Sequence, residues 1–74
     1  MASHSVAEQT RRALEVHLVD GSWPVGTRLP AERVLAETLG VSRNSVREAL
    51  FCLNERGLLF SWHGSGVFVS DILQ

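Results

Sequence analysis

Apolar residues recur at helical spacing in three stretches of the chain, and each stretch is closed by a glycine. Such a pattern predicts amphipathic helices that end at those glycines. The helices are predicted over residues 5–20, 31–39 and 42–56, with Ser5 opening a capping box and Ser42 acting as an N-cap. The inward faces are assigned to Val6, Ala13, Leu14, Leu18, Leu35, Ala36, Leu39, Val46, Ala49, Leu50 and Leu53.

The hydrophobic pattern changes after the third helix. Residues 58–70 carry aromatic and β-branched side chains on both sides of a glycine-containing turn at 64–66, which predicts a tight β-hairpin. A very short strand is predicted at 27–29, before the second helix. Three helices followed by a hairpin predict one small domain over residues 1–74, of the α+β class and mainly helical.

The second and third helices have the spacing of a helix-turn-helix. Two helices that meet at a steep angle need a small residue where they cross, and Ala36 supplies it. The turn needs a residue that tolerates positive φ, and Gly40 follows four positions later. The third helix then buries a β-branched anchor, Val46, so the interval pattern indicates a helix-turn-helix.

The side chains that this arrangement leaves outside have the chemistry of a DNA contact. They are Arg43, Asn44, Ser45 and Arg47. Arginine can bind guanine O6 and N7, asparagine can bind adenine N6 and N7, and serine can serve a base or a phosphate. The N-terminus of the third helix adds backbone N–H groups and a partial positive charge.

The charge balance does not by itself favour nucleic acid. The 74 residues carry a formal net charge of −1, whereas a basic domain is the usual mark of DNA binding. All seven positive charges are arginine, and Arg33, Arg43 and Arg47 lie close together in the chain. The acidic residues Glu8 and Glu15 lie apart from them, in the first helix. The charge distribution therefore neither establishes nor excludes DNA binding, and these arginines could equally be solvated surface residues.

Several other functions are disfavoured by composition. Cys52 is the single cysteine, and no histidine or cysteine set has ligand spacing, so no disulfide, metal or cofactor is expected. No apolar stretch approaches 18 residues, which argues against a membrane span and favours the reducing cytoplasm. The chain has no lysine for a Schiff base and no nucleophile–base pair, so an enzyme is not expected.

Two alternative functions remain open at this point, as do the positions of three aromatic side chains. The third helix could bind a protein partner, although its exposed polar residues argue against an apolar groove. An enzyme fragment is the other alternative. Trp23 and Trp62 are expected to pack under the loop and the hairpin, and Phe51 either covers the domain's own core or meets another domain.

Six segments in order resemble the N-terminal domain of GntR-family transcription regulators, and within them the FadR-type subgroup. The segments are 26–33, 35–36, 39–43, 46–50, 57–59 and 64–69. The resemblance implies a winged helix-turn-helix, with the third helix in the major groove and the hairpin as a wing at the minor groove. It implies DNA contacts from Arg33, from Ser42, Arg43, Asn44, Ser45 and Arg47, and from the wing residues His63, Gly64, Ser65 and Gly66.

The chain departs from the pattern of that family in three places. Val25 stands where proline is common, and Phe51 and Cys52 replace residues that are usually polar or basic. Ala31 stands where serine often caps the second helix, a change that costs about 1 kcal/mol of helix stability.

The resemblance also implies partners. Such regulators bind palindromic operators as homodimers, mostly as repressors, and respond to a metabolite through an effector-binding domain that follows the wing. That domain is absent from this chain, which stops shortly after Asp71. We therefore expect an isolated DNA-binding domain that is monomeric.

Overall fold

The computed structural model describes residues 6–62 and 64–71, and its elements follow the predicted order. They are α1 (Val6–Val19), α2 (Glu32–Leu39), α3 (Arg43–Glu55), β1 (Leu59–Ser61) and β2 (Val67–Val69). The predicted class, a mainly helical α+β domain of three helices and one C-terminal hairpin, is confirmed. Ser5, the first residue of the proposed capping box, lies outside the described residues.

Helix α1 packs against α3 through a face that is less apolar than the sequence predicted. Leu14 is fully buried, whereas Val6 is half exposed. Thr10 is buried instead, and its hydroxyl donates to the carbonyl of Val6 at 2.7 Å. That hydrogen bond satisfies the hydroxyl, so a polar side chain can occupy a core position at little cost.

The turn between α2 and α3 has the predicted construction. Ala36 is buried where the two helices pack together, and Gly40 ends α2 in the left-handed conformation, with φ 71°. The N–H groups of Gly40 and Val41 both donate to the carbonyl of Ala36. Val46 is fully buried, so the anchor position of the third helix is confirmed.

Both ends of α3 are capped. The side chain of Ser42 accepts a hydrogen bond from the N–H of Ser45, which confirms Ser42 as the N-cap. At the other end, Gly57 N–H donates to Asn54 and Leu58 N–H donates to Leu53. These two bonds form a Schellman motif, which satisfies carbonyls that the end of the helix would leave unpaired.

The hairpin is antiparallel, and one of its faces is buried. Leu59 pairs with Val69 and Phe60 pairs with Phe68. Leu59 and Val69 are buried, and the Phe60 and Phe68 rings stack on the opposite face with centroids 5.6 Å apart. Strand β1 ends at Ser61 and β2 begins at Val67, so β1 stops short of the predicted turn at 64–66.

The predicted short strand at 27–29 pairs with the outer edge of β2. It amounts to one bridge, between Arg28 and Phe68. Leu29 N–H donates to Val67 at 2.8 Å, and Val69 N–H donates to Thr27 at 2.9 Å. The hairpin is therefore anchored to the chain that leads into α2.

One core holds these elements together. Its buried apolar members are Leu14, Leu29, Leu35, Ala36, Val46, Ala49, Leu50, Leu53, Leu59 and Val69. Leu18, Trp23 and Leu39 pack against this core while half-buried, so the predicted packing role of Trp23 is confirmed. Trp62 is 56% exposed, so its predicted packing under the hairpin is wrong. Phe51 is 65% exposed and does not cover the core.

None of the helices described is long and apolar enough to cross a membrane.

Candidate nucleic-acid interface

The first turn of α3 presents polar side chains to solvent. Ser42 Oγ accepts from the N–H of Ser45 and donates to Ser45 Oγ, both at 3.0 Å. A serine hydroxyl carries one proton and two lone pairs, so Ser45 keeps a proton that it can donate outward. The two serines therefore cap the N-terminus of α3 and still have a hydrogen-bond donor available for a ligand.

Arg43 and Asn44 follow these serines and are both exposed. Among the described residues, Arg43 has neither a carboxylate nor a hydrogen-bond partner on its side chain. Asn44 Nδ2 donates to Glu48 Oε2 at 3.4 Å, one turn along the helix. Arg43 is thus a free cation at the exposed end of the helix.

The other two arginines of this region are paired. Arg47 Nη2 lies 3.3 Å from Glu32 Oε1 and so links α3 to α2. Arg33 Nη1 lies 3.4 Å from Glu37 Oε2 within α2. The two arginine side chains are 61% and 64% exposed, and exposed pairs contribute only about 0–1 kcal/mol. A phosphate can therefore replace the carboxylate at small cost.

Acidic side chains stand among the arginines of this region. In the structure, Glu32, Glu37 and Glu48 stand among the side chains predicted to contact DNA. The face formed by α2 and the start of α3 is therefore of mixed charge, which agrees with the formal net charge of −1.

The wing tip is a narrow loop. Ser65 N–H donates to the carbonyl of Trp62 at 2.7 Å, and Trp62 N–H donates to the carbonyl of Gly66 at 3.2 Å. Gly64 and Ser65 are exposed, and a Cβ built on Gly64 meets nothing within 4 Å. His63 lies outside the described residues.

Arg28 is a cation that sequence reasoning did not assign to the interface. It is exposed and bridges Phe68, at the outer edge of the hairpin. A Cβ built on Gly66 would lie 2.6 Å from Arg28 Nε, so the guanidinium rests against the backbone of the wing. The predicted short strand was a signal for this position, but the sequence did not indicate which strand it would pair with.

Away from this face, Glu8 and Glu15 of α1 form ion pairs with Arg11, Arg12 and Arg56. In residues 6–62 and 64–71, no three His, Cys, Asp or Glu side chains come together as metal ligands could. In the turn after α1, hydrogen bonds from the side chain and backbone N–H of Ser22 hold the pKa of Asp20 below its ordinary value.

These features define a class of protein. A first helix packed on α3, a helix-turn-helix with a capped and exposed N-terminal turn, and a glycine-containing hairpin form a winged helix-turn-helix domain. Comparison with known proteins places it further. Residues 6–69 match the family described as bacterial regulatory proteins, gntR family, and the chain belongs to that family.

Similar proteins support this assignment. An uncharacterised HTH-type transcriptional regulator of Mycobacterium tuberculosis is 44% identical over 66 residues, which are 89% of this chain and 27% of that protein. The chain thus spans about a quarter of that curated relative's length. Neither this relative nor the structures below favours the protein-binding alternative.

Solved structures show the same fold. The Streptococcus agalactiae GntR structure has a TM-score of 0.80 and 40% identity, covering 88% of this chain and 32% of that one. The DNA-binding domain of AraR, solved in complex with operator ORX1, has a TM-score of 0.83 and 30% identity. That match covers 89% of this chain and 80% of the AraR chain.

Proposed function

We propose that this chain is the sequence-specific DNA-binding domain of a metabolite-responsive bacterial transcription regulator. The observation that carries the proposal is the first turn of α3. Ser42 caps it, Val46 anchors it in the core, and the free guanidinium of Arg43 stands at its exposed end. A rigid helix end with exposed donors fits the major groove of duplex DNA.

Each exposed polar residue of this region has a role in the proposal. Arg43, Asn44 and Arg47 read base edges, because their donors and acceptors match guanine and adenine. Ser42 and Ser45 bind a phosphate together with the N-terminal N–H groups of α3. Arg33 adds a phosphate contact from the start of α2.

The wing completes the proposed interface. The tip residues His63, Gly64, Ser65 and Gly66 enter the minor groove beside the site of α3. The exposure of Gly64 and Ser65 and the open space around Gly64 support close approach to DNA. The AraR domain, of similar fold, was solved with operator DNA bound, which supports the same mode here.

The remaining proposals concern the whole regulator. We place it in the FadR-type subgroup, as a repressor that binds a palindromic operator as a homodimer. Its effector-binding domain would follow the wing and receive a metabolite. Because a regulator works where the chromosome is, the protein belongs in the cytoplasm.

Selection from random duplexes tests the proposed function. The 74-residue chain is incubated with a randomised duplex pool at low salt, and bound DNA is sequenced over successive rounds. Enrichment of one motif is expected, and the same selection with Arg43→Ala should enrich a less defined one. A wild-type chain that enriches no motif and retains no duplex would contradict the proposal.

A further inference from the structure

The seven arginines divide into two groups by their partners. Five have a carboxylate within ion-pair distance; they are Arg11, Arg12, Arg33, Arg47 and Arg56. Arg28 and Arg43 have none among the described residues. Arg43 belongs to the proposed recognition helix, so Arg28 is the one free guanidinium that the proposed function leaves without a role.

Arg28 lies on the outer face of the wing. In an antiparallel pair, residues directly opposite each other point to the same face, and alternate residues of one strand share a face. Arg28 is opposite Phe68, and Gly66 comes two residues before Phe68. The Arg28 side chain therefore runs diagonally from the edge of the hairpin towards its tip.

The end of the Arg28 side chain lies next to Gly66. A Cβ there would lie 2.6 Å from Arg28 Nε and 3.4 Å from its Cζ, so a side chain at this position would require the end of Arg28 to move aside. The backbone before and after Arg28 is hydrogen-bonded to β2. Leu29 N–H donates to the carbonyl of Val67, and Val69 N–H donates to the carbonyl of Thr27. The guanidinium therefore lies against the backbone of the wing, where it has less conformational entropy to lose on binding DNA.

We propose that Arg28 is a phosphate-binding residue of the wing. This inference rests on the proposed DNA binding and extends it to a residue outside the helix-turn-helix. The guanidinium offers a planar fork of donors that matches a phosphate, and no carboxylate of the residues that the structure describes pairs with it. It sits beside the tip rather than on it, so it reaches the DNA backbone that flanks the groove, not the base edges.

Substitution of Arg28 and a matched control test the proposal. Arg28→Gln is compared with Arg56→Gln, which removes the same charge from an exposed arginine paired with Glu15. Affinity is measured by titration of the selected operator and of a scrambled duplex, at several salt concentrations. Thermal unfolding of both variants checks that the fold is retained.

A phosphate contact predicts a specific set of results. Arg28→Gln should weaken binding roughly tenfold on both duplexes and should reduce the slope of log affinity against log salt by about one. Preference among operator variants should stay as in the wild type. Arg56→Gln should change neither the affinity nor the slope, and Arg28→Lys should keep the slope while it loses part of the affinity.

Other results would overturn the inference. If Arg28→Gln behaves like Arg56→Gln while the wild type still binds its operator, Arg28 has no role and the proposed function stands. If Arg28→Gln changes preference at one base pair, the contact is to a base and not to a phosphate. A wild type that binds no duplex would instead mean that the proposed function itself fails.

A double-mutant cycle provides a second measurement. Because an alanine Cβ at position 66 would displace the guanidinium, Gly66→Ala should weaken binding less in an Arg28→Gln background than in the wild type. Equal losses in the two backgrounds would show that Gly66 does not position Arg28 for DNA.

Discussion

Arg43 differs from Arg33 and Arg47 because, within residues 6–62 and 64–71, no carboxylate pairs with its guanidinium. Binding DNA therefore requires no ion pair to be broken at this residue. We expect Arg43→Ala to weaken binding to the selected operator by about 1–3 kcal/mol and to relax preference at one base pair. Competition titrations against single-base operator variants measure both effects.

Arg12→Ala is a suitable control for that substitution. Arg12 is 60% exposed and lies on α1, where its Nη2 is 3.2 Å from Glu8. Its loss should leave base preference unchanged. If Arg43→Ala retained the affinity and the preference of the wild type, α3 would not be the helix that reads DNA.

Individual side chains show where prediction from the sequence was limited. Asn44 is exposed as expected, because helical spacing places it on the opposite side of α3 from the buried Val46. Arg43 is exposed because it is the first residue of the helix. The link between Arg47 and Glu32 joins two helices, and no periodicity within one helix predicts it. Thr10 was missed because a polar residue becomes a core residue only when its hydroxyl finds a carbonyl within its own helix.

The two N-caps of the helix-turn-helix allow a test of helix stability. Ala31 and Ser42 have nearly the same backbone conformation, with φ −62° and ψ 155° for Ala31 and φ −75° and ψ 156° for Ser42. Only Ser42 makes a side-chain capping bond. Ala31→Ser should therefore raise the free energy of unfolding by about 1 kcal/mol, measured by urea denaturation.

Removal of the cap that α3 already has provides the control. Ser42→Ala removes the bond to Ser45 and should lower the free energy of unfolding by about 1 kcal/mol. If Ala31→Ser left the urea midpoint unchanged while Ser42→Ala lowered it, the backbone N–H groups at the start of α2 would already have another hydrogen-bond partner.

A substitution at the wing tip is expected to affect operator affinity more than thermal stability accounts for. Gly64 has φ +74° in open space, so Gly64→Val introduces backbone strain of about 1–3 kcal/mol without a clash. Gly21→Val is matched to it, because Gly21 has φ +86°, also in open space, in the loop after α1. Both variants should lose similar thermal stability, and only Gly64→Val should lose operator affinity beyond that loss. Equal affinity losses would mean that the tip is an ordinary turn.

Elements were easier to predict than the contacts between them. Caps and glycine stops are local signals, so α2 and α3 end where Gly40 and the Schellman motif at Gly57 end them. Strand β1 ends earlier than the strand-like stretch of the sequence, because the carbonyl of Trp62 accepts from Ser65 N–H and so already belongs to the turn. The bridge from Arg28 to Phe68 spans forty positions of sequence, and no local pattern contains that information.

The 74-residue chain as a whole should be monomeric and should bind one half-site weakly. Its exposed apolar residues form small separate groups, such as Phe60 with Trp62 on the hairpin and Val16 with Val19 on α1, rather than one broad face. Joining two such domains would raise avidity by roughly 10²–10⁴ on a palindromic operator without any new contact. Sedimentation equilibrium should give the monomer mass, and a stable dimer that binds as tightly as a linked pair would contradict this.

Salt should weaken the complex in spite of the negative net charge. Each phosphate contact releases counterions from the duplex, so log affinity should fall with log salt by about 0.9 for every phosphate bound. Titrations at two or more salt concentrations give the slope and hence the number of phosphate contacts. A slope near zero would contradict a backbone contribution from the serines and arginines of α2, α3 and the wing.

The carboxylates beside Arg33 and Arg47 also bear on how the protein searches a chromosome. On arbitrary duplex, we expect each of these arginines to exchange a carboxylate for a phosphate, so that the encounter gains little free energy and dwell times are short. Fewer molecules should then be bound to the large excess of non-operator DNA. On an operator, bidentate contacts from both guanidinium groups should be stronger than the ion pairs that they replace. We therefore expect the acidic neighbours to weaken general DNA binding and to leave more of the protein available for its operator.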